Sequence, residues 1–151
     1  MKVLLAVVAL LGSGAFAPAA LAEGAGRVVT LPGIRYEVLA SGPASGRRPL
    51  RSDTVAMRYV GRLSTSEIFS TSPDNGEKTA EFKVREVIPG MSAALQLMRP
   101  GDRWRITMPA YLGYGWTGRK YAAPERLLKR DIPADATLVF EVELVSVSGG
   151  R

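Results

Sequence analysis

The sequence predicts an α+β fold: an antiparallel sheet of about five strands with one short helix packed on one face. Several segments alternate between apolar and polar residues, which is typical of strands with one buried and one solvated face. A single short segment, residues 91–98, has an apolar side spaced for a helix, and Pro-Gly pairs flank it on both sides. Turn-rich stretches separate these segments, so we expect one domain of short consecutive elements.

The predicted strands follow one another along the chain. They are residues 34–38, 54–63, 80–84, 103–108 and 137–147, with a shorter extended piece at 67–69. Because side chains alternate across a strand, residues that share a face can be named. One face carries Val55, Met57, Tyr59 and Gly61 in the second strand, and one face carries Leu138, Phe140, Val142 and Leu144 in the last. In residues 103–108 we expect Trp104, Ile106 and Met108 to point inward.

The predicted helix of about two turns is marginal by itself, since helix nucleation is costly and few hydrogen bonds repay it. Its apolar side is assigned to Ala93, Ala94, Leu95, Leu97 and Met98. We therefore expect the sheet to hold it in place. Its first turn contains the apolar residue Met91 where a polar cap is more usual.

The N-terminal residues 1–22 have the pattern of a cleaved secretory signal. Lys2 precedes an apolar run, and the small residues Ala20 and Ala22 flank the expected cleavage site before Glu23. The run is too short to span a membrane. The sequence thus predicts a signal peptide at 1–22, a flexible lead-in at 23–32, and a periplasmic or secreted location.

The composition excludes several kinds of chemistry. The 151 residues include no cysteine and no histidine, so disulfides, thiolates, Ser-His-Asp triads and most zinc sites are ruled out. We predict no metal and no cofactor. The net charge of +6 is compatible with a nucleic-acid or anionic-membrane binder, but the basic residues are scattered apart from one cluster. A solvated basic surface is the favoured interpretation, without nucleic acid as a partner.

An ordered series of short segments resembles the FKBP-type peptidyl-prolyl cis-trans isomerases. The segments are YVGRL at 59–63, IF at 68–69, VIPG at 87–90, LQLM at 95–98, GDRW at 101–104, YG at 114–115, IP at 132–133 and ATLVFEVEL at 136–144. The resemblance implies a twisted antiparallel sheet wrapped around the short helix, with an isomerase domain at residues 33–148. It also implies proline-containing polypeptides as clients.

The resemblance further implies an apolar substrate pocket between helix and sheet. By position, four residues would carry catalysis: Tyr59, Phe69, Tyr114 and Phe140. Five more would bind substrate: Phe82, Val87, Ile88, Met91 and Ile132. In the family, the backbone N–H matching Ile88 and the hydroxyl matching Tyr114 donate hydrogen bonds to carbonyls of the ligand. Met91 would form the pocket floor, which explains its apolar character.

Three features depart from the family pattern. Ser70 and Asn75 stand where most active members have Asp and Arg, and Met91 replaces the usual Trp. A methionine floor is smaller and more adaptable, so macrolide inhibitors should bind weakly. Residues 116–131 form an insertion that carries the basic cluster. Its members are Arg119, Lys120, Arg126, Lys129 and Arg130.

Two functions follow as hypotheses. The first is an exported prolyl isomerase that assists protein folding, in which the insertion forms a basic lid selecting acidic or unfolded partners. The second is a catalytically weak FKBP-like binding module or chaperone, which the three departures keep open. A solvated insertion without a role in selection is the simpler alternative for residues 116–131.

Overall fold

The computed structural model describes residues 26–149, so the predicted signal peptide lies outside the described residues. Seven strands form one sheet with the order β1-β2-β6-β7-β3-β4, and β5 pairs with β3 beside β4. The strands are β1 (Val28–Thr30), β2 (Arg35–Ala40), β3 (Thr54–Leu63), β4 (Ile68–Thr71), β5 (Ala80–Lys83), β6 (Arg103–Met108) and β7 (Leu138–Ser148). Every pairing is antiparallel, which confirms the predicted fold class.

The number of strands exceeds the expected five for two reasons. Strand β1 lies within residues 23–32, where we expected a flexible lead-in, and it pairs with β2 in the register Val28↔Glu37. Three residues are too few to show an alternating pattern, so only tertiary pairing reveals this strand. The second addition is β4, which extends the short piece predicted at 67–69 and pairs with the end of β3.

The helix α1 (Pro89–Leu95) packs on the apolar face of the sheet, as predicted. Its proline starts the helix, since the missing N–H would be unsatisfied in the first turn anyway. Met91, Ala94, Leu95 and Met98 are buried, at the spacing i, i+3, i+4 and i+7 of one helical face. The assignment of Ala93 to that face was wrong: Ala93 is exposed, because two residues correspond to about 200° of helical rotation.

The residues predicted to share one face of a strand are buried except Tyr59, which is half-buried, and Trp104, Ile106 and Met108 point inward as predicted. The outer face of the sheet carries ion pairs. Arg58 pairs with Glu143, and Arg105 pairs with both Glu37 and Glu141, each at 3.0 Å. Exposed pairs of this kind contribute little stability. Burial of the inner face against α1 therefore supplies most of what holds the sheet and helix together.

Candidate active site

A pocket of about 190 Å³ opens between the inner face of the sheet and the start of α1. Strands β3, β4, β5 and β7, the segment before α1, and the insertion at residues 116–131 all contribute side chains. The lining residues are Met57, Tyr59, Phe69, Ser70, Phe82, Glu86, Val87, Ile88, Met91, Tyr114, Arg119, Tyr121, Lys129 and Phe140. Its wall is thus apolar and aromatic, with a few polar groups, as is usual for small-ligand sites.

The sheet side of the pocket is a cluster of aromatic rings in contact. Phe69 and Phe140 meet edge to face, with ring centroids 5.5 Å apart and planes at 90°. Tyr59 lies 6.3 Å from Phe140 and 5.9 Å from Phe82. These are favourable aromatic geometries, and they arise because alternating strand positions place the rings on one face.

Gly61 makes room for this cluster. A Cβ atom at this position would lie 2.7 Å from Cε1 of Phe140 and 2.9 Å from Cζ of Phe69. Either distance is shorter than a real carbon–carbon contact, so a side chain here would push the rings apart. The glycine on β3 therefore sets the separation of two walls of the pocket.

The floor is formed where the chain enters α1. Met91 is buried in the first turn of the helix, and Val87 and Ile88 precede it with half-buried side chains. The Ile88 carbonyl accepts the Ser92 N–H at 3.0 Å. Among residues 26–149, the Ile88 N–H has no acceptor, so it is available to a ligand carbonyl.

Two phenols supply polar groups inside the apolar wall. Tyr59 Oη and Ser70 Oγ share a hydrogen bond of 3.1 Å. Burial raises the pKa of Tyr59, and the Ser70 hydrogen bond opposes that shift in part. Burial, assisted by the neighbouring Tyr121 phenol, raises the pKa of Tyr114 to about 12. Both phenols are therefore neutral hydrogen-bond donors at physiological pH.

The opposite side of the pocket comes from the insertion. Tyr121 is buried there, with the Arg119 guanidinium 5.0 Å and the Lys129 ammonium 5.3 Å from its ring centroid. Arg119 also lies 5.8 Å from the Tyr114 ring. Cations at these distances are attracted to aromatic rings. The insertion thus brings two positive charges to the wall of the pocket.

Three backbone attachments fix the insertion against the domain. Arg119 and Ile132 exchange N–H···O=C bonds of 2.9 and 2.8 Å, and the Arg130 N–H donates to the Phe69 carbonyl at 3.0 Å. The Tyr121 N–H donates to Asp131 Oδ1 at 3.0 Å. Gly118 permits the first of these attachments, because a Cβ atom there would lie 2.2 Å from the Ile132 carbonyl oxygen.

The structure brings together eight of the nine residues predicted for the site. Ile132 is the exception: it does not line the pocket, its side chain is buried in the core, and its backbone pairs with Arg119. The insertion accounts for this difference, because its own residues occupy the wall near that position. Asn75 also lies away from the pocket, in a short 3-10 turn (Asp74–Gly76) where its φ is +54°.

The insertion was predicted as a basic lid that contains Arg119 and Lys129, but the nine predicted site residues omit six of the lining residues. They are Met57, Ser70, Glu86, Arg119, Tyr121 and Lys129. Alternation along β3 places Met57 on the same face as Tyr59, so that residue could have been found. Tyr121 carried no signal, because the family pattern has only a short loop where the insertion stands.

Two kinds of feature are absent from the described part of the chain. Within residues 26–149, no group of three or more Asp or Glu side chains converges where a metal ion could sit. None of the helices in that same range is long and apolar enough to cross a membrane.

Comparison with known proteins agrees with the observed fold. The family model for FKBP-type peptidyl-prolyl cis-trans isomerases matches residues 45–145. The outer membrane protein MIP of Legionella longbeachae is 38% identical over 121 residues, covering 80% of this chain and 47% of that protein. The FKBP-type 22 kDa isomerase of Escherichia coli is 40% identical over 118 residues, covering 78% and 52%. The chain thus spans about half the length of these curated relatives.

Solved structures give the same result. The crystal structure of FkpA from Escherichia coli superposes with a TM-score of 0.70 at 32% identity, covering 85% of this chain and 54% of that one. An isomerase from Pseudomonas syringae gives a TM-score of 0.66 at 34% identity and covers 81% of both chains. The chain belongs to the family of FKBP-type peptidyl-prolyl cis-trans isomerases.

Proposed function

We propose that this chain is an exported peptidyl-prolyl cis-trans isomerase that acts on proline-containing segments of folding proteins. The observation that carries the proposal is the aromatic pocket, which combines an apolar floor at Met91 with two donors, the Ile88 N–H and the Tyr114 phenol. The family named above, and the isomerases among the relatives, support the same activity. The isomerase domain would comprise residues 33–148, preceded by the short strand β1.

The reaction needs no bond to be made or broken. Rotation about a peptide bond faces a barrier of about 18–20 kcal/mol, because the planar form is stabilised by resonance. X-Pro bonds isomerise uncatalysed over tens to hundreds of seconds. A catalyst needs only to favour the twisted amide over the planar one.

The pocket offers two means of doing so. A dry aromatic wall of Tyr59, Phe69 and Phe140 disfavours the polar, planar resonance form and can enclose the proline ring. The Ile88 N–H would hold a carbonyl of the substrate, and the Tyr114 phenol would hold a second one. Phe82, Val87 and Met91 complete the apolar surface against which the substrate rests.

Tyr114 can serve as a donor over a wide pH range. Its pKa is raised to about 12, so the phenol keeps its proton throughout the physiological range. Donation to a carbonyl requires that proton. We therefore expect the activity to show no titration of this group below about pH 11.

The second candidate function is a binding module that retains the pocket with little catalysis. Ser70 favours it, since the family's carboxylate beside the pocket is replaced here by a hydroxyl bonded to Tyr59. Met91 favours it too, because a flexible floor holds a twisted amide less firmly than a rigid ring would. Macrolide inhibitors should also bind weakly for this reason.

An isomerisation assay separates the two functions. The chain would be tested on a series of short X-Pro peptides, with Tyr114→Phe and Phe140→Ala variants measured beside it. Acceleration that falls in both variants supports the isomerase. Tyr111→Phe is the matched control, because Tyr111 is 70% exposed and does not line the pocket. A folded chain that accelerates no peptide would refute the enzymatic proposal and leave the binding module.

Export is tested separately. Expression of the full chain in a Gram-negative host, followed by fractionation and N-terminal sequencing, should give a periplasmic or secreted product that begins at Glu23. A cytoplasmic product that keeps residues 1–22 would contradict the proposed location.

A further inference from the structure

We infer that the pocket selects substrates in which an acidic residue directly precedes the proline. This inference rests on the proposed function and names the substrate class of the same site. It is carried by the charges that line the pocket: Arg119 and Lys129 are cationic, Ser70 is neutral, and Glu86 is the one anion that residues 26–149 contribute to the lining.

The two cations are placed by the insertion and not by chance contact of long side chains. Both lie within about 5 Å of the buried Tyr121 ring, at 5.0 and 5.3 Å. The Arg130 N–H bonds to the Phe69 carbonyl, which places the neighbouring residue Lys129 beside Phe69 and Ser70. The Tyr121 ring and the backbone bond of Arg130 therefore hold both cations at the wall of the pocket.

The cations lack strong partners of their own. Lys129 lies 3.9 Å from Glu125, with side chains 36% and 55% exposed, and such a pair is weak. Among residues 26–149, Arg119 makes no salt bridge, although other basic residues of the insertion do. Glu86 is near Lys83 at 3.6 Å and Arg85 at 3.9 Å, so its charge is partly balanced from outside the pocket.

Ser70 makes these charges available to a ligand. A carboxylate at this position, as in the family pattern, would share the pocket wall with Lys129 and offset its charge. Ser70 instead bonds to Tyr59, and the lining residues that the described strands contribute carry no charge to oppose the two cations. The charge of this wall is thus positive, and the group that complements it is a carboxylate.

The reach of the substrate identifies which residue carries that carboxylate. The proline ring fits the apolar part of the pocket, and consecutive Cα atoms are about 3.8 Å apart across a trans peptide. The residues on either side of the proline therefore lie at the edge of a cavity of only about 190 Å³. The residue before the proline is assigned the carboxylate, because its carbonyl belongs to the amide that rotates in the site and its side chain stays next to the pocket wall.

The test compares matched peptides by two-dimensional exchange NMR. Four peptides would differ only in the residue before the proline: Glu, Gln, Leu or Lys. We expect the catalytic efficiency for Glu-Pro to exceed that for Gln-Pro about 3- to 10-fold at low salt, as two partly exposed ion pairs would give. The ratio should fall below about 2-fold at 0.5 M salt. A ratio of one at low salt, or a preference for Lys-Pro, would overturn the inference.

Variants locate the effect. The Arg119→Gln/Lys129→Gln double variant should bring the Glu/Gln ratio to about one. Because the measured quantity is the ratio of the catalytic efficiencies for Glu-Pro and Gln-Pro, a change in activity that affects both peptides equally does not alter it. Arg126→Gln/Arg130→Gln removes the same charge from the same insertion but away from the pocket, and it should keep the ratio. The assignment of the preference to Arg119 and Lys129 would be contradicted if the control variant no longer preferred Glu-Pro, or if the first variant still did.

A third variant leaves the cations in place. Ser70→Asp should lower the Glu/Gln ratio by at least half, because the new carboxylate would offset the charge of Lys129. An unchanged ratio in a folded Ser70→Asp protein would contradict the role of Ser70.

Binding of the four peptides, measured by chemical-shift titration, keeps the inference distinct from the proposed function. If no peptide is isomerised but Glu-Pro still binds more tightly than Gln-Pro, the enzymatic proposal fails and the charge selection stands. If peptides are isomerised without discrimination in rate or binding, the selection fails and the enzyme stands.

Discussion

The two sides of the pocket are built in different ways. On the sheet side, Phe69 and Phe140 are 2% and 5% exposed, and Phe140 lies on β7, which pairs with β3 along its whole length. On the insertion side, three backbone attachments and the buried Tyr121 hold a segment whose Leu127 and Leu128 are each 85% exposed. The sheet thus sets the shape of the pocket through buried rings, whereas the insertion contributes its two cations through a largely exposed segment.

The largest expected effect is on the sheet side, at Phe140. Phe140→Ala should lower the free energy of unfolding by about 3–5 kcal/mol, since it removes a buried ring that contacts both Phe69 and Tyr59. Urea denaturation measures this. Phe140→Leu should lose less than half as much, because it leaves a smaller cavity. A loss below about 1 kcal/mol for alanine would show that the aromatic cluster is not part of the stable core.

Gly61→Ala should have the next largest effect. Its Cβ would overlap both Phe140 and Phe69, and overpacking of this kind costs about 1–3 kcal/mol. The same denaturation experiment applies. Combining Gly61→Ala with Phe140→Leu should restore part of the loss, because the smaller side chain frees space. Strict additivity of the two losses would argue against a direct clash.

Tyr114 links the two sides, and its raised pKa gives a pH-dependent effect. An unfolded tyrosine has a pKa near 10, while the folded chain keeps the Tyr114 proton up to about 12. The stability that depends on this proton is therefore complete below pH 10 and is lost as the pH rises toward 12.

Denaturation midpoints at pH 9, 10 and 11 measure that loss. The wild-type chain should lose stability with rising pH relative to Tyr114→Phe, in which the phenol is absent. Lysine titration affects both proteins alike and cancels in the difference. Parallel pH profiles for the two proteins would contradict the raised pKa.

The smallest expected effect is on the insertion side, at Asp131. Asp131→Ala removes the acceptor of the Tyr121 N–H, and we expect a stability loss of about 1 kcal/mol or less. Hydrogen exchange of the Tyr121 amide should become faster, while the amides of β3 and β7 stay protected. Asp131→Asn keeps an acceptor oxygen and serves as the control. A loss as large as that of Phe140→Ala would show that the insertion belongs to the folding core.

Much of the fold could be predicted because the alternation of apolar and polar residues along a strand reflects which side chains are buried. Residues 54–63 and 103–108 were predicted with the bounds that the structure gives for β3 and β6. Strand β1 could not be predicted, because a three-residue strand depends on its partner β2. The helical face was correct at Ala94, Leu95 and Met98 and wrong at Ala93, where apolar character alone was taken for orientation.

The candidate site also contains residues whose positions could be predicted from the sequence and residues whose positions could not. Phe69, Phe140 and Tyr59 lie on predicted strands, so their common face follows from the register of β3 with β4 and β7. Ile132 was expected in the pocket, but the insertion pairs with its backbone and takes the neighbouring wall. Tyr121 and Lys129 follow no regular pattern along residues 116–131, so their positions could not be inferred from spacing.

The family resemblance named the aromatic residues of the sheet side, whereas the sequence by itself determined the fold class, the positions of most strands along the chain, and the absence of thiol and imidazole side chains. These are properties of local periodicity and composition, which the chain carries without reference to distant residues. Tertiary structure alone decided where the insertion lies, because hydrogen bonds from Arg119 to Ile132 and from Arg130 to Phe69 join residues that no periodic pattern relates. The charge of the pocket wall follows from those long-range contacts.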